Sequence, residues 1–157
     1  MPFRIRKFQK TDFDTLWRID QACFDAQMAY SRPELAFYMQ RPGAFTLVLD
    51  GDGDSKASSV LGFIVAEARR RNGHIITIDV VAEARRLGVG SALLAAAEKQ
   101  LQESGAEAVA LETAVNNDAA IRFYKGKGYF VEKTVPGYYS GQLDALRMVK
   151  ELEKSGK

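Results

Sequence analysis

The sequence predicts an α+β domain in which one mixed sheet is covered by helices on both faces, with a helix-rich N-terminal part. Three observations carry this. Stretches with the apolar spacing of a helix alternate with short apolar or alternating runs of strand length. No repeat, low-complexity run or long linker divides the 157 residues, so one domain over 1–157 is expected. The composition is that of a folded chain, 46% hydrophobic and 27% charged, enough for both a core and a solvated exterior.

In chain order, Phe3 and Ile5 alternate with Arg4 and Arg6 as in a half-buried strand. Thr11 or Asp12 can cap a helix running to Phe24, with Phe13, Leu16, Trp17 and Ile19 as its apolar contacts. Ser31 can cap a second helix ending near Gln40, and Pro33 falls in its first turn, where a missing N–H is harmless. Strands are expected over 44–49 and 60–68, separated by the polar turn Gly51-Asp52-Gly53-Asp54-Ser55. Asn72-Gly73 reads as a tight turn into a strand over 74–81, with Arg69, Arg70 and Arg71 at the hairpin tip facing solvent or an anionic partner. A helix from Gly88 to about 103 presents Leu93, Leu94, Ala97 and Leu101 on one side and stops at Gly105. A strand over 108–113, a short helix over 117–127 stopped by Gly128, and strands over 129–135 and 143–149 complete the order.

Several function classes drop out. A formal charge of +2 is too small to imply nucleic-acid binding. Cys23 and His74 are the only cysteine and histidine, which excludes an intrachain disulfide, a cysteine-rich zinc site and any pair of imidazoles; no metal is expected. No stretch approaches the roughly 20 apolar residues of a membrane span, and the charged start lacks a signal-peptide core. A cytoplasmic protein is the natural expectation. Cys23 reads as a buried helix residue and His74 as structural or solvated beside the hairpin.

The chemistry concentrates at Arg85, Arg86, Leu87, Gly88, Val89 and Gly90, a tight turn between a strand and a helix. Gly88 and Gly90 let the backbone curl so that several N–H groups converge at a helix start, where the dipole adds positive charge. That is an anion site suited to a pyrophosphate, with Arg85 and Arg86 at its rim. A dinucleotide turn of the Rossmann type would need a third glycine where Leu93 stands, although Glu112 follows at a plausible distance. A P-loop is excluded, since no Gly-x-x-x-x-Gly-Lys-Ser/Thr run exists.

Arg85-x-x-Gly88-x-Gly90, followed by Asn117-Asp118-Ala119-Ala120-Ile121-Arg122-Phe123-Tyr124 and Gly128-Tyr129-Phe130, resembles the two signature motifs of the GNAT acetyltransferase superfamily, in the family's order. Leu111-Glu112, Tyr124, and Tyr138-Tyr139 with Asp144-Ala145 and Met148 resemble its bacterial ribosomal-protein alanine N-acetyltransferases and related protein N-terminal acetyltransferases.

The resemblance implies a mixed, mostly antiparallel sheet of six or seven strands. Acetyl-CoA is the implied co-substrate, its pantetheine arm pairing with backbone of Ile78, Asp79 and Val80, and its pyrophosphate on residues 85–90. Asn117 would bond the pantetheine or fix the second motif. Glu112 is the implied general base, direct or through water, which requires its pKa to be raised; the alternative is a strand-end glutamate paired with an arginine. Tyr124 would donate to the departing thiolate, or simply pack as a helix aromatic. Tyr138 and Tyr139 would border the acceptor groove, or be ordinary strand-loop aromatics. Asp79 stands where related enzymes carry a small or apolar residue, and it would attract a cationic amine or face solvent. Ala29-Tyr30 stands where a proline-tryptophan pair is often found. The implied acceptor is a protein N-terminal α-amine, with a small-molecule amine or a non-catalytic acyl-CoA-binding module as alternatives. The sequence does not specify an oligomeric state.

Overall fold

The computed structural model describes residues 3–51 and 59–153. Seven strands and four helices follow in the order β1 (Arg4–Lys7), α1 (Phe13–Cys23), α2 (Arg32–Met39), β2 (Ala44–Asp50), β3 (Val60–Arg69), β4 (Asn72–Val80), α3 (Val89–Glu103), β5 (Ala108–Ala114), α4 (Asp118–Gly126), β6 (Phe130–Tyr139) and β7 (Leu143–Glu151). The strands form one sheet in the order β1-β2-β3-β4-β5-β7-β6. Only β4 and β5 run parallel, because α3 carries the chain back between them. Beyond Gly51, the polar turn expected at 51–55 lies outside the described residues.

The central strands β2 and β3 are buried on both faces. Leu47, Leu49, Ile64 and Ala66 meet Leu93, Leu94, Ala97 and Leu101 of α3, while Val48, Phe63 and Val65 meet Leu16 and Ile19 of α1. Strands covered on both sides read as continuous apolar runs, which is how β2 and β3 appear in the sequence. No helix among the described residues is long and apolar enough to cross a membrane.

The second helix starts as expected: Ser31 Oγ accepts from the Glu34 N–H at 3.2 Å, and Glu34 Oε1 accepts from the Ser31 N–H at 2.8 Å. The first does not. Asp12 makes no side-chain cap to α1; its carboxylate is taken by Arg6, at 2.9 Å to each oxygen, and by the Gln9 N–H. Strand β6 begins after Tyr129 and runs through Pro136 to Tyr139, longer than expected. A sheet edge tolerates the proline, since no neighbour needs its missing N–H. Tyr129 instead turns inward, and its hydroxyl donates to Glu98 of α3 at 2.7 Å.

The hairpin between β3 and β4 turns at Arg70-Arg71, with Arg70 at φ 56°, and Asn72-Gly73 already belongs to β4. Gly73 is needed for a different reason. A Cβ there would lie 2.8 Å from a Leu101 methyl, so its absence lets α3 seat against the sheet. Gly73→Ala is therefore expected to cost about 1–3 kcal/mol through overpacking, or about 2–4 °C of Tm per kcal/mol at this size. Trimming Leu101 to Val should recover part of the loss. A Tm unchanged by Gly73→Ala in thermal denaturation would contradict the close seating.

Candidate active site

Two left-handed residues, Arg86 at φ 71° and Gly88 at φ 86°, shape the turn before α3. The first helical hydrogen bond runs from the Ala92 N–H to the Gly88 carbonyl. The N–H groups of Val89, Gly90 and Ser91 therefore precede any intrahelical acceptor and stand at the positive end of a 15-residue helix. Val89 turns its side chain into the core and Leu87 is exposed, so their contribution to an anion site is backbone. Arg85 does not reach over the turn. Its Nε donates to the Val80 carbonyl at 3.3 Å, beside the Cys23 thiol.

Strand β4 pairs with β5 only over Asn72–His74. A bulge then bends it: Val65 of β3 faces Thr77, Ala66 faces Ile75, and Ile76 is the extra residue. The bulge also switches faces. Before it Ile75 packs toward α3, and after it Ile78 and Val80 do, while Ile76 packs toward α1. Backbone directions follow from register. The Val81 N–H bonds the Leu61 carbonyl across β3, so Val81 and Asp79 direct their backbone groups to β3. Ile78 and Val80 direct theirs away from it, toward the gap beside β5. Of the three expected backbone partners, Ile78 and Val80 are thus placed to pair with an extended ligand and Asp79 is not.

Between the splayed strands lies a cleft of about 150 Å³, lined by Thr77 and Ile78 on one side and Glu112 and Tyr124 on the other. That is below the roughly 300–1,000 Å³ of a pocket that engulfs a whole ligand, so it encloses a reacting end only. Phe24, Met28, Tyr30, Tyr138 and Tyr139 close its other wall. Two contacts tie the loops above it: Gln27 Nε2 donates to Gln142 Oε1 at 2.9 Å, and Ser140 Oγ donates to the Gln27 carbonyl at 3.1 Å.

Glu112 is the electrostatic centre of the cleft. Its Oε1 lies 2.7 Å from His74 Nε2 and 3.4 Å from the Tyr138 hydroxyl, and its Oε2 accepts from Arg147 at 2.7 Å. Burial pushes its pKa up, but the His74 hydrogen bond and charge, with the Arg147 guanidinium, outweigh burial and hold it below the usual carboxylate range. This is opposite to the direction that a base with a near-neutral pKa requires, and it matches the arginine-paired alternative. His74 was missed as a site residue. In the sequence it is the first strand residue beside the hairpin, structural or solvated, with no sign of its neighbour across the sheet. It sits in β4 against Ala110, two residues before Glu112 on the neighbouring strand.

Tyr124 is 7% exposed, and its ring packs edge-on against Phe123 and Tyr129. Among the described residues nothing accepts from its hydroxyl. Burial, with Asp79 and Tyr139 nearby, raises its pKa, so it remains a neutral donor. Burial and Glu112 push Tyr139 up to about 12. Tyr138 is raised by the same causes. Asn117 Oδ1 caps α4 through the Ala120 N–H at 3.1 Å, fixing the helix that carries Tyr124. Asp79 corrects the expectation of a solvent-facing acid, being 1% exposed with Oδ1 accepting from Thr77 Oγ1 at 2.6 Å. Its side chain points toward α1, because the bulge has switched the faces. Among the described residues no group of three or more His, Cys, Asp or Glu side chains is placed to hold a metal ion.

With this geometry in view, residues 13–129 match the model of the acetyltransferase (GNAT) family. The chain is 35% identical over 148 residues to an uncharacterized N-acetyltransferase of Methanocaldococcus jannaschii, covering 94% of this chain and 90% of that one. It is 30% identical over 163 residues to an N-alpha-acetyltransferase of Sulfurisphaera tokodaii, covering 96% and 93%. The crystal structure of Ard1 from Thermoplasma volcanium superposes with a TM-score of 0.86 at 30% identity, covering 98% of this chain and all of that one. The chain belongs to the GNAT acetyltransferase family. It is an acetyl-CoA-dependent N-acetyltransferase.

Proposed function

We propose that the acceptor is the N-terminal α-amine of a protein or peptide, acetylated by direct attack while both substrates are bound. The observation that carries this is the state of Glu112. Clamped by Arg147 and His74 and held ionised, it is too weak a base to strip a protonated lysine. The acceptor must bring its own neutral fraction, which at pH 7 is roughly a tenth for an α-amine of pKa near 8 and roughly one part in a few thousand for lysine. The N-alpha-acetyltransferase relative supports the same acceptor.

The turn N–H groups at Gly88, Val89 and Gly90 would hold the pyrophosphate, with Arg86 alongside, and Ile78 and Val80 would pair with the pantetheine. Acetyl-CoA supplies the thioester carbonyl that is attacked and the thiolate that leaves. Glu112 receives the proton once the new C–N bond makes the nitrogen acidic, and gives it up to solvent, while the His74 Nε2–H that donates to the carboxylate holds that carboxylate in place. Tyr124 donates to the thiolate. Tyr30, Tyr138 and Tyr139 bound the acceptor.

One observation favours a small-molecule amine instead: the Gln27–Gln142 and Ser140–Gln27 contacts bridge the loops that a peptide would pass between. Release of CoA with a panel of N-terminal peptides, internal-lysine peptides and small amines separates the readings. Turnover confined to free N-termini is the expected result. Turnover with small amines alone would establish the second reading, and none with any acceptor would leave only a CoA-binding module.

A further inference from the structure

We propose that Asp20 is a positioning residue for the reaction: its buried carboxyl, joined to Asp79 of the cofactor strand, holds the backbone of Tyr30 in the acceptor cleft. This rests on the reading of the Tyr30 wall as the acceptor side.

Asp20 lies on α1 and is fully buried. Its Oδ2 accepts from the Tyr30 N–H at 2.8 Å. The Tyr30 carbonyl accepts from Trp17 Nε1 at 3.1 Å and from Gln21 Nε2 at 2.6 Å. Residues 17, 20 and 21 share one helix face through their three- and four-residue spacing. Together they clamp both backbone polar groups of a single residue in the segment between α1 and α2. The rest of that segment is held by short-range turn bonds, such as Ala29 N–H to the Asp25 carbonyl, and by the contacts of Gln27 with Ser140 and Gln142. Clamping Tyr30 fixes where its ring meets the cleft, against Tyr38 at 5.3 Å.

The second oxygen of Asp20 explains the unusual acid at 79. Among the described residues, Asp20 Oδ1 and Asp79 Oδ2 are the two buried side-chain polar atoms without a partner. The two carboxyls face one another, and two acceptors can be satisfied together only by a proton between them. Around the pair stand Thr77 of β4, Cys23 of α1, Arg85, Tyr124 of α4 and Tyr30 itself. Burial, then the hydrogen bond and charge of Asp20, raise the pKa of Asp79 well above the usual range, and Thr77 and Arg85 do not cancel this. One shared proton thus connects the strand bearing Ile78 and Val80 to the loop bearing Tyr30.

Asp20→Asn replaces the shared proton with an amide N–H and keeps an oxygen for Tyr30. Asp20→Ala removes both. Hydrogen exchange at the Tyr30 amide should accelerate about tenfold or more in Asp20→Ala, the scale of one hydrogen bond to a charged acceptor, and stay near wild type in Asp20→Asn. The acceptor KM should rise about tenfold in Asp20→Ala, with recovery to within about threefold in Asp20→Asn, while acetyl-CoA affinity changes less than about twofold in both. Should Asp20→Ala not fold, Gln21→Ala, on the exposed side of the clamp, carries the same two readouts with smaller changes.

The proton gives a third readout. A carboxyl with a raised folded pKa contributes stability that is full below its unfolded value near 3.9 and is lost as pH rises through the folded value. The fall in Tm on raising the pH above about 4 should therefore flatten in Asp20→Asn. Unchanged Tyr30 exchange in Asp20→Ala overturns the clamp and leaves the acceptor reading untouched. Faster exchange with an unchanged acceptor KM overturns the link to the reaction, and removes Tyr30 from the acceptor site as well.

Discussion

Tyr124→Phe is expected to lower kcat about a hundredfold while leaving acetyl-CoA affinity within about twofold of wild type. The substitution removes one oxygen and keeps the ring, whose edge-on contacts with Phe123 and Tyr129 hold α4 in place. What is lost is a donor facing the cleft, whose proposed role lies with the charge that develops on the departing sulfur. Positioned proton donors contribute roughly 10²- to 10⁴-fold, and the low end applies here for a physical reason. Burial raises the phenol above its ordinary pKa near 10, while a thiol ionises near 8.5, so complete proton transfer to sulfur runs uphill. A hydrogen bond that strengthens as the thiolate forms asks less of the phenol and gives the smaller effect. CoA release measures kcat, titration calorimetry measures acetyl-CoA binding, and an unchanged Tm shows that the packing survives. Full turnover in this variant would remove Tyr124 from the chemistry and leave it a packing residue of α4.

Much of this site is readable from local rules. Gly88 at φ 86° before a helix, Ser31 with Glu34 three residues on, and Asn117 capping α4 act through neighbours in the chain, so the sequence displays them. What escapes a sequence reading depends on neighbours across the sheet. The bulge at Ile76 switches the faces of β4, and strict alternation gives no sign that Asp79 turns to Asp20 rather than to α3 or solvent. Asn72-Gly73 carries a strong turn signal, yet the glycine answers to Leu101 on another element, and the turn falls to Arg70-Arg71. That displacement makes His74 the third residue of β4 rather than the first, and parallel pairing with β5 sets it beside Glu112. Arg147 of β7 completes the cluster because Glu112 and Arg147 are register partners between β5 and β7, a pairing no spacing rule could supply.

Glu112→Gln is expected to lower kcat/KM about a hundredfold, and the shape of the pH profile distinguishes how Glu112 acts. Gln preserves the volume, so the Arg147 and His74 side chains keep a neighbour of the same shape and lose its charge. The pKa of Glu112 is depressed, so it is a carboxylate throughout the neutral range and ionises below its ordinary value near 4.3. Any limb that it contributes to the rate lies at that acidic end. With the proposed α-amine acceptor, the profile between pH 6 and 9 should follow that amine, rising as it loses its proton near pH 8. Wild type and Glu112→Gln should give parallel curves over that range, displaced vertically. A neutral limb present in wild type and absent in Glu112→Gln would mean that acceptor binding raises the pKa of Glu112 and makes it a base before attack. Coincident curves with no displacement would reduce Glu112 to a structural partner of Arg147. His74→Ala supplies the complementary measurement. If His74 acts by holding the Glu112 carboxylate, this variant loses rate alone, the double variant loses little more than Glu112→Gln, and their non-additivity identifies one unit rather than two independent contacts.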